Sequence, residues 1–429
     1  MCNIDLTRDT VILFVARCVR LFSFGMISIV LTLYLTTIGF NQWQIGILFT
    51  TILFGNIFLT LILTTTADSI GRRNILIIGA LLKIFAGIMF AFVHQYIFLI
   101  FAGIIGIISP TGGELGPFLA IEQACLTETV KDKVKIARIF GWYHFLGYVS
   151  IAIGALTAGY FLSLMTDIYQ VSALNAHQTV FIVYAFFGLI KALMYFCLSD
   201  EVEVKSCENK KQLHGFNKTF GLHHPSSRRI VAKLSALFII DSIAGGFIIQ
   251  TTIVYWFHIR FQLNTDELGL MMMLTNIISG ISGILATTLV AKFGAINTMV
   301  ITHIPSNIFL LLIPFMPTKS LAILMLAVRS SMSQMDVPAR QTFLTISVEN
   351  NERSAAGGIT NLVRSIGFSI SPIIGGYLLK DSTNQILFSS PFIIAGGLKL
   401  IYDILLYLTF RSTIKCENQQ DHHEEKLIK

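Results

Sequence analysis

The sequence predicts an all-α integral membrane protein with twelve transmembrane helices in two pseudo-symmetric six-helix bundles. Three observations lead to this fold class: a very apolar composition, a regular series of hydrophobic runs, and a repeat of one half of the chain in the other. Of the 429 residues, 54% are hydrophobic and 13% are charged, and the mean hydropathy is +0.72. The charged share is about half that of an average soluble domain. This composition excludes a soluble enzyme.

Hydrophobic runs of membrane-helix length follow one another along the chain. A helix needs roughly 20 apolar residues to cross the hydrocarbon core, so the chain has room for about twelve spans and for no additional globular domain. The first run is too long for a signal peptide, and Arg17 and Arg20 interrupt it, so we expect a retained helix. The predicted spans, numbered 1 to 12, are 11–37, 43–66, 74–94, 96–126, 138–162, 178–198, 231–257, 265–290, 298–317, 320–347, 355–379 and 386–410.

The basic residues predict the orientation of these spans. Arg260, Lys319 and Lys380 are the only Lys or Arg residues in one set of alternate loops, whereas the other set is rich in both. The positive-inside rule therefore predicts that both termini are cytoplasmic, with the plasma (inner) membrane as the expected location. The basic pI then reports topology, and we expect no nucleic-acid partner. The predicted organisation is a first bundle (1–198), a cytoplasmic linker (199–230), a second bundle (231–410) and a cytoplasmic tail (411–429).

The two halves repeat each other in sequence. Span 2 opens with Gln42-Trp43-Gln44-Ile45-Gly46-Ile47 and span 8 with Thr265-Asp266-Glu267-Leu268-Gly269-Leu270. Gly159-Tyr160 in span 5 likewise corresponds to Gly376-Tyr377 in span 11. Two parallel six-helix repeats joined by a polar linker are typical of transporters whose substrate site lies near the middle of the bilayer.

The loop between spans 2 and 3 carries a family signature. It reads Ala67-Asp68-Ser69-Ile70-Gly71-Arg72-Arg73-Asn74 and resembles the G-x-x-x-D-(R/K)-x-G-R-(R/K) motif of the major facilitator superfamily. Asp68, Gly71, Arg72 and Arg73 match, whereas Thr64 and Ser69 replace the opening Gly and the base after the Asp. The resemblance implies a cytoplasmic gate, in which the carboxylate and the Arg pair hold helix ends together. The alternative is that Arg72 and Arg73 only set the topology.

A second motif lies in span 11. Gly367, Pro372, Gly375 and Gly376 form an element similar to the G-x-x-x-G-P-x-x-G-G motif that proton-driven exporters of this superfamily carry in helix 5. Here the element sits in the repeat partner of helix 5, and Ala155 replaces the Pro in span 5 itself. A Pro flanked by Gly residues predicts a helix bend, although packing by small residues would also explain the pattern.

Two short segments suggest a branch of the superfamily. Gly116-Pro117 with the residues that follow, and Val337-Pro338 in the corresponding span of the second half, look like a prokaryotic-type branch of drug or metabolite carriers. These segments do not identify a substrate.

Ionisable residues inside the spans are candidate cavity residues. Each costs about 2.5 to 3.5 kcal/mol on insertion scales, so each needs a partner or an aqueous cavity. In this superfamily helices 1, 4, 7 and 10 line the cavity, and by resemblance those spans hold Arg17, Arg20, Glu114, Glu122, Asp241, Arg329, Asp336 and Arg340. Four bases and four acids predict no strong preference for ionic substrates. Ion pairs that only hold the bundle together are the alternative reading of the same residues.

Some charged residues outside the cavity spans receive a simpler interpretation. We expect Lys83 and Lys191 to snorkel towards the membrane surface, and Lys399 and Asp403 to form a local i,i+4 pair. Among the four cavity acids, Glu114 and Asp241 are the deepest, and we predict that they are the groups that couple proton movement to transport.

The sequence shows no sign of a metal, a cofactor or a catalytic site. Its six cysteines have no ligand spacing, its histidines have no ligand-spaced neighbours, and no G-x-x-x-x-G-K motif for ATP is present. We therefore expect neither a cofactor nor an enzyme, and a gradient as the energy source.

We predict a monomeric secondary transporter that moves a small organic solute across the bilayer by alternating access, with proton antiport and efflux of drug-like or metabolite substrates. The first alternative is a nutrient uniporter or proton symporter. The second is a non-transporting sensor or scaffold on the same fold, although a scaffold needs neither a gate motif nor buried charges.

Overall fold

The computed structural model describes residues 7–106, 108, 110–111, 117–129, 133–203, 222–349 and 352–428, without the side chains of 68, 117, 133–138, 354 and 411–428. In these ranges all regular secondary structure is helical. The α-helices are α1 (Arg8–Thr37), α2 (Gln42–Ile70), α3 (Arg72–Phe92), α4 (Tyr96–Ile105), α5 (Pro117–Thr129), α6 (Lys133–Ser163), α7 (Ala173–Phe196), α8 (Pro225–Phe247), α9 (Gln250–Phe261), α10 (Thr265–Phe293), α11 (Ala295–Leu312), α12 (Lys319–Ser333), α13 (Asp336–Ser347), α14 (Arg353–Leu378) and α15 (Gln385–Ile428). Each predicted span contains one helix or two consecutive ones, which confirms the all-α class.

Local hydrogen bonds satisfy free N–H groups where α2 begins. The Asn41 side chain accepts from the Gln44 N–H at 2.9 Å and the Gln44 side chain from the Asn41 N–H at 3.0 Å, a capping box that opens α2. Gly71 joins α2 to α3 with φ of 103°, and Gly294 joins α10 to α11 with φ of 78°. Only Gly adopts these angles without strain, so both halves of the chain use Gly at the same turn.

Three of the four spans expected to line a cavity are interrupted. Span 4 is divided into α4 and α5, span 7 into α8 and α9, and span 10 into α12 and α13. Irregular backbone at membrane depth is tolerated where it is buried in protein or lines an aqueous cavity. The break in span 10 places Arg329 on α12 and Asp336 on α13.

The apolar surface agrees with a multi-pass membrane protein. Within the described ranges, nine helical segments are long and apolar enough to cross a membrane, and α4 is a shorter apolar helix. The three predicted spans outside this group are 4, 10 and 11, which are interrupted or rich in polar residues. Large apolar side chains such as Phe58, Phe92 and Phe101 are more than half exposed, as expected for side chains that face lipid.

The chain divides into two compact units. The first contains the described residues of 1–209, 248–277 and 369–388, and the second those of 210–247, 278–368 and 389–429. In the first unit a buried apolar cluster is built around Leu76, Ile121 and Tyr195. In the second unit a separate cluster is built around Phe238, Phe343 and Leu406.

Two helix crossings in the first unit join the repeated glycine motifs. A Cβ atom placed on Gly159 of α6 would lie 2.9 Å from Gly269 Cα of α10, and one placed on Gly376 of α14 would lie 2.9 Å from Gly46 Cα of α2. Both distances are too short for a real side chain, so Gly is required for the close approach of the backbones. The glycine motif of span 5 therefore contacts that of span 8, and the glycine motif of span 11 contacts that of span 2.

Candidate functional site

Glu122 on α5 is the centre of a buried polar cluster in the first unit. Its carboxylate accepts hydrogen bonds from Arg20 of α1 at 3.3 Å (Nε) and 2.7 Å (Nη2), from Tyr143 of α6 at 2.6 Å and from Tyr195 of α7 at 2.7 Å. The Glu122 side chain is fully buried. A charge-assisted pair with two further donors satisfies a buried carboxylate well. An ion pair between Arg20 and Glu122 therefore joins spans 1 and 4.

Lys83 of α3 and Lys191 of α7 point into this unit. Lys83 is 3% exposed and Lys191 is 0% exposed, so the expectation that they snorkel is wrong. Lys83 donates to Ser23 Oγ and lies 4.3 Å from the centroid of the Tyr184 ring. The Lys191 Nζ lies 3.3 Å from the centroid of the Phe118 ring and has no hydrogen-bond partner among the described residues. Ring faces attract cations, so the Tyr184 and Phe118 rings offset part of the cost of burying these two side chains.

Arg17 lies at the margin of the same cluster. Its Nη2 is 3.3 Å from His144 Nδ1, and its guanidinium carbon is 4.1 Å from the centroid of the Tyr143 ring. The guanidinium packs against Gly147, where a Cβ atom would be 2.9 Å from Arg17 Nε. Within the described part of the chain, the Nε and Nη1 atoms of Arg17 have no hydrogen-bond partner. Arg17 is thus a buried cation with free donors.

A second polar cluster lies in the second unit around Asp241 of α8. Lys399 of α15 donates to Asp241 Oδ1 at 2.6 Å, and Arg340 Nη1 lies 3.9 Å from Asp241 Oδ2. Arg340 also donates to Asp336 on the same turn of α13 at 3.0 Å. The predicted local pair between Lys399 and Asp403 is wrong, because Lys399 pairs across helices with Asp241.

Asp403 of α15 has different partners, which the sequence did not reveal. His303 Nδ1 of α11 lies 2.7 Å from Asp403 Oδ1, and Asn307 donates to Asp403 Oδ2 at 2.8 Å. His303 and Asp403 are both buried. The spacing of four between His303 and Asn307 was the available signal, since it places both side chains on one helical face.

Arg329 near the end of α12 is half-buried, and its Nε has no hydrogen-bond partner in the described part of the chain. Glu114 lies outside the described residues.

The predicted gate loop is held by an acid that the sequence did not identify. Glu203, which follows α7, accepts from the Arg72 N–H at 2.7 Å and from the Arg73 N–H at 3.0 Å. Its carboxylate therefore caps the amino terminus of α3. The Arg side chains reach Glu128 at 3.6 Å and Asp200 at 3.7 Å. The signal in the sequence for this contact is the group of acidic residues that follows span 6. Whether these acids contact α3 depends on the tertiary fold.

Asp68 belongs to the last turns of α2, and its side chain lies outside the described residues. The position of its carboxylate relative to Arg72 and Arg73 stays a prediction.

The residues predicted to bend span 11 lie at helix contacts. α14 is helical on both sides of Pro372, and the Ile373 N–H donates to Thr50 Oγ1 of α2 at 3.0 Å. Gly367 faces α8, where a Cβ atom would lie 3.1 Å from the Ile239 carbonyl oxygen. Gly376 crosses α2 as described above, and Gly375 is buried in the same turn. Close packing thus accounts for Gly367 and Gly376, and the bend stays a prediction.

Sequence and structure comparisons identify the family. The profile of the Major Facilitator Superfamily matches residues 13–372 and 261–427, so the chain belongs to this superfamily. It is a multi-pass membrane transporter and not an enzyme.

Among relatives, the uncharacterized membrane protein YJR124C of Saccharomyces cerevisiae is 29% identical over 444 residues, which is 97% of each protein. The crystal structure of the nucleoside transporter NupG has a TM-score of 0.71 at 15% identity and covers 94% of this chain and 99% of that one. The D-xylose-proton symporter has a TM-score of 0.69 at 15% identity, with 92% and 96% covered. At such identities these structures show the fold alone.

Proposed function

We propose that this protein is a secondary transporter that moves a small organic solute by alternating access and couples the movement to protons in antiport, so that it exports drug-like or metabolite compounds. The observation that carries the proposal is the pair of buried polar clusters, around Glu122 and around Asp241. Each joins several helices, and together they involve all three interrupted spans. Broken helices with charged side chains are the usual surroundings of a transporter's substrate and ion sites.

The second cluster supports proton coupling. Asp241 contacts both Lys399 and Arg340, so protonation of its carboxylate would release two basic side chains from one partner. Buried His303 and Asp403 lie in the same unit, and histidine is the side chain that most readily changes charge near neutral pH. A carboxylate whose basic partners leave and return during the cycle can bind and release a proton. Asp241 and Glu114 are the proposed coupling residues.

Transport by liposomes that contain the full chain tests this function. We expect Asp241→Asn to lose uptake driven by a pH gradient and to keep substrate counterflow, which needs no net proton movement. Glu114→Gln is tested in the same way. Asp167→Asn, which alters an exposed carboxylate in the turn that follows α6, is the matched control and should keep both activities.

Three outcomes contradict parts of this function. If both variants retain pH-driven uptake, the proposed coupling residues are wrong. If uptake by the unmodified protein ignores pH, a uniporter replaces the antiporter. Loss of both activities in Asp241→Asn would make Asp241 a structural or substrate-binding residue.

A further inference from the structure

The first cluster contains more basic than acidic side chains. Within the spans, the described residues of this cluster include four basic side chains (Arg17, Arg20, Lys83 and Lys191), all buried, and one carboxylate, Glu122. In the second cluster, by contrast, each of three carboxylates contacts a basic side chain. The sequence expectation of equal numbers of acids and bases fails here because Lys83 and Lys191 point inward.

The Glu122 carboxylate already accepts four hydrogen bonds from neighbouring side chains. Arg20 makes two hydrogen bonds to Glu122, and the hydroxyl groups of Tyr143 and Tyr195 donate to the same two oxygens. Arg17 and Lys191 keep buried nitrogen atoms without hydrogen bonds in the described part of the chain. Aromatic rings near both groups supply about 0.5 to 2 kcal/mol each, less than the several kcal/mol that burial of an ion costs.

Arg17 is the basic residue of the cluster that lies beside half-buried polar side chains. It contacts His144, and Gln123 Nε2 lies 3.4 Å from the other nitrogen of the same imidazole. Both His144 and Gln123 are half-buried, whereas Lys83 and Lys191 are enclosed. An anionic group beside Arg17 would find a fork of N–H donors that suits carboxylates and phosphates.

We propose that the cluster of Arg17, Lys83 and Lys191 is an anion-binding subsite and that the transported solute carries a carboxylate or phosphate group. Arg17 contacts the anionic group, and Lys83 and Lys191 supply positive potential from within the bundle. This inference rests on the transport function proposed above and names the chemical class of its substrate.

Matched pairs of compounds test the charge requirement. We would measure binding to the purified full chain by thermal stabilisation and calorimetry, at constant ionic strength, with AMP against adenosine and with glucose 6-phosphate against glucose. Citrate and inorganic phosphate complete the set. We expect anionic compounds to stabilise the protein, and each phosphorylated compound to bind at least about tenfold more tightly than its neutral counterpart.

Variants test the residues. Arg17→Gln and Lys191→Met should each weaken anion binding about tenfold. Because Lys191→Met removes an uncompensated buried charge, it should leave the unfolding temperature of the ligand-free protein unchanged or higher. Lys191→Arg keeps the charge and should keep anion binding. Lys292→Met, at an exposed lysine in the second unit, is the matched control and should change neither quantity.

The results separate this inference from the transport function. The subsite is wrong if no anion in the set binds, if neutral compounds bind as tightly as their phosphorylated forms, or if Arg17→Gln and Lys191→Met leave anion affinity unchanged. Counterflow of adenosine or glucose without preference for the phosphorylated form would keep the transporter and overturn the subsite. Anion binding without counterflow would keep the subsite and overturn transport.

Discussion

At the scale of single residues, the stability of the first cluster depends on Glu122, the carboxylate that pairs with Arg20. Replacement by Gln leaves Arg20 buried without its counter-ion, and loss of one partner from a buried pair costs about 3 to 5 kcal/mol. We expect Glu122→Gln to lower the free energy of unfolding by that amount, measured by denaturation in detergent. Glu128→Gln on the same helix removes a half-exposed contact with Arg72 and should cost about 1 kcal/mol or less. If the two changes lowered the free energy of unfolding equally, the dependence of the cluster on Glu122 would be contradicted.

Glu352 gives a prediction about pH, because it lies outside the predicted spans. Burial acts to raise the pKa of this carboxyl, but hydrogen bonds from the His224 N–H, the Ser227 side chain and the His223 N–H outweigh burial and hold the pKa below its usual value. A carboxyl with a lowered pKa in the folded state stabilises the protein above its unfolded pKa of about 4.3. The stabilisation disappears as the pH falls through the folded value.

We therefore expect Glu352→Gln to lower the unfolding temperature at pH 7, and the difference from the unmodified protein to shrink below about pH 4. Thermal unfolding between pH 7 and pH 3 measures this difference. Glu349→Gln, at an exposed acid three residues earlier, is the control and should have no effect. A difference that stays constant with pH would show that the charge of Glu352 is unimportant.

At the scale of helices, the start of α3 depends on Glu203. Loss of a side-chain cap costs about 0.5 to 2 kcal/mol, so Glu203→Ala should destabilise the protein by that amount. If the loop is also a gate, the same change should lower the counterflow rate, as Asp68→Asn should. Glu201→Ala removes an exposed acid two residues earlier and should alter neither quantity. Normal transport by both Glu203→Ala and Asp68→Asn would indicate that the loop is not a gate and that Arg72 and Arg73 only set the topology.

The crossing of α14 and α2 gives a second prediction at this scale. Gly376→Ala places a methyl group against the α2 backbone, so it should lower both the unfolding temperature and the counterflow rate. Gly283→Ala is the matched control, because nothing lies within 4 Å of a Cβ atom there. Alanine favours helix by up to about 1 kcal/mol relative to glycine, so Gly283→Ala should be neutral or stabilising. A Gly376→Ala protein that is as stable and active as Gly283→Ala would contradict the close crossing.

At the scale of the whole molecule, the sequence predicts what depends on composition and local spacing. Hydropathy identifies twelve spans, and the repeats of Gly46, Gly159, Gly269 and Gly376 mark the positions at which helices cross. Asp336 and Arg340 form a pair within α13, and their i,i+4 spacing is a signal for it because both residues lie on one helix.

Contacts between helices are less predictable. Lys399 and Asp403 have the same i,i+4 spacing, but in the folded bundle they pair with Asp241 and His303 on other helices. The direction in which Lys83 and Lys191 point depends on how α3 and α7 are rotated about their own axes, which hydropathy does not specify. The cap formed by Glu203 depends on a contact across 131 residues of sequence.

Substrate counterflow in liposomes tests the central claim most directly, because exchange of labelled for unlabelled solute requires alternating access and needs no driving gradient. With AMP, glucose 6-phosphate, citrate and inorganic phosphate as solutes, we predict saturable exchange for at least one anion by the unmodified protein, and exchange at least about tenfold slower in Arg17→Gln. If folded protein exchanges none of these anions, or exchanges the matched neutral compounds equally well, the account of this chain as a transporter of anionic solutes is contradicted.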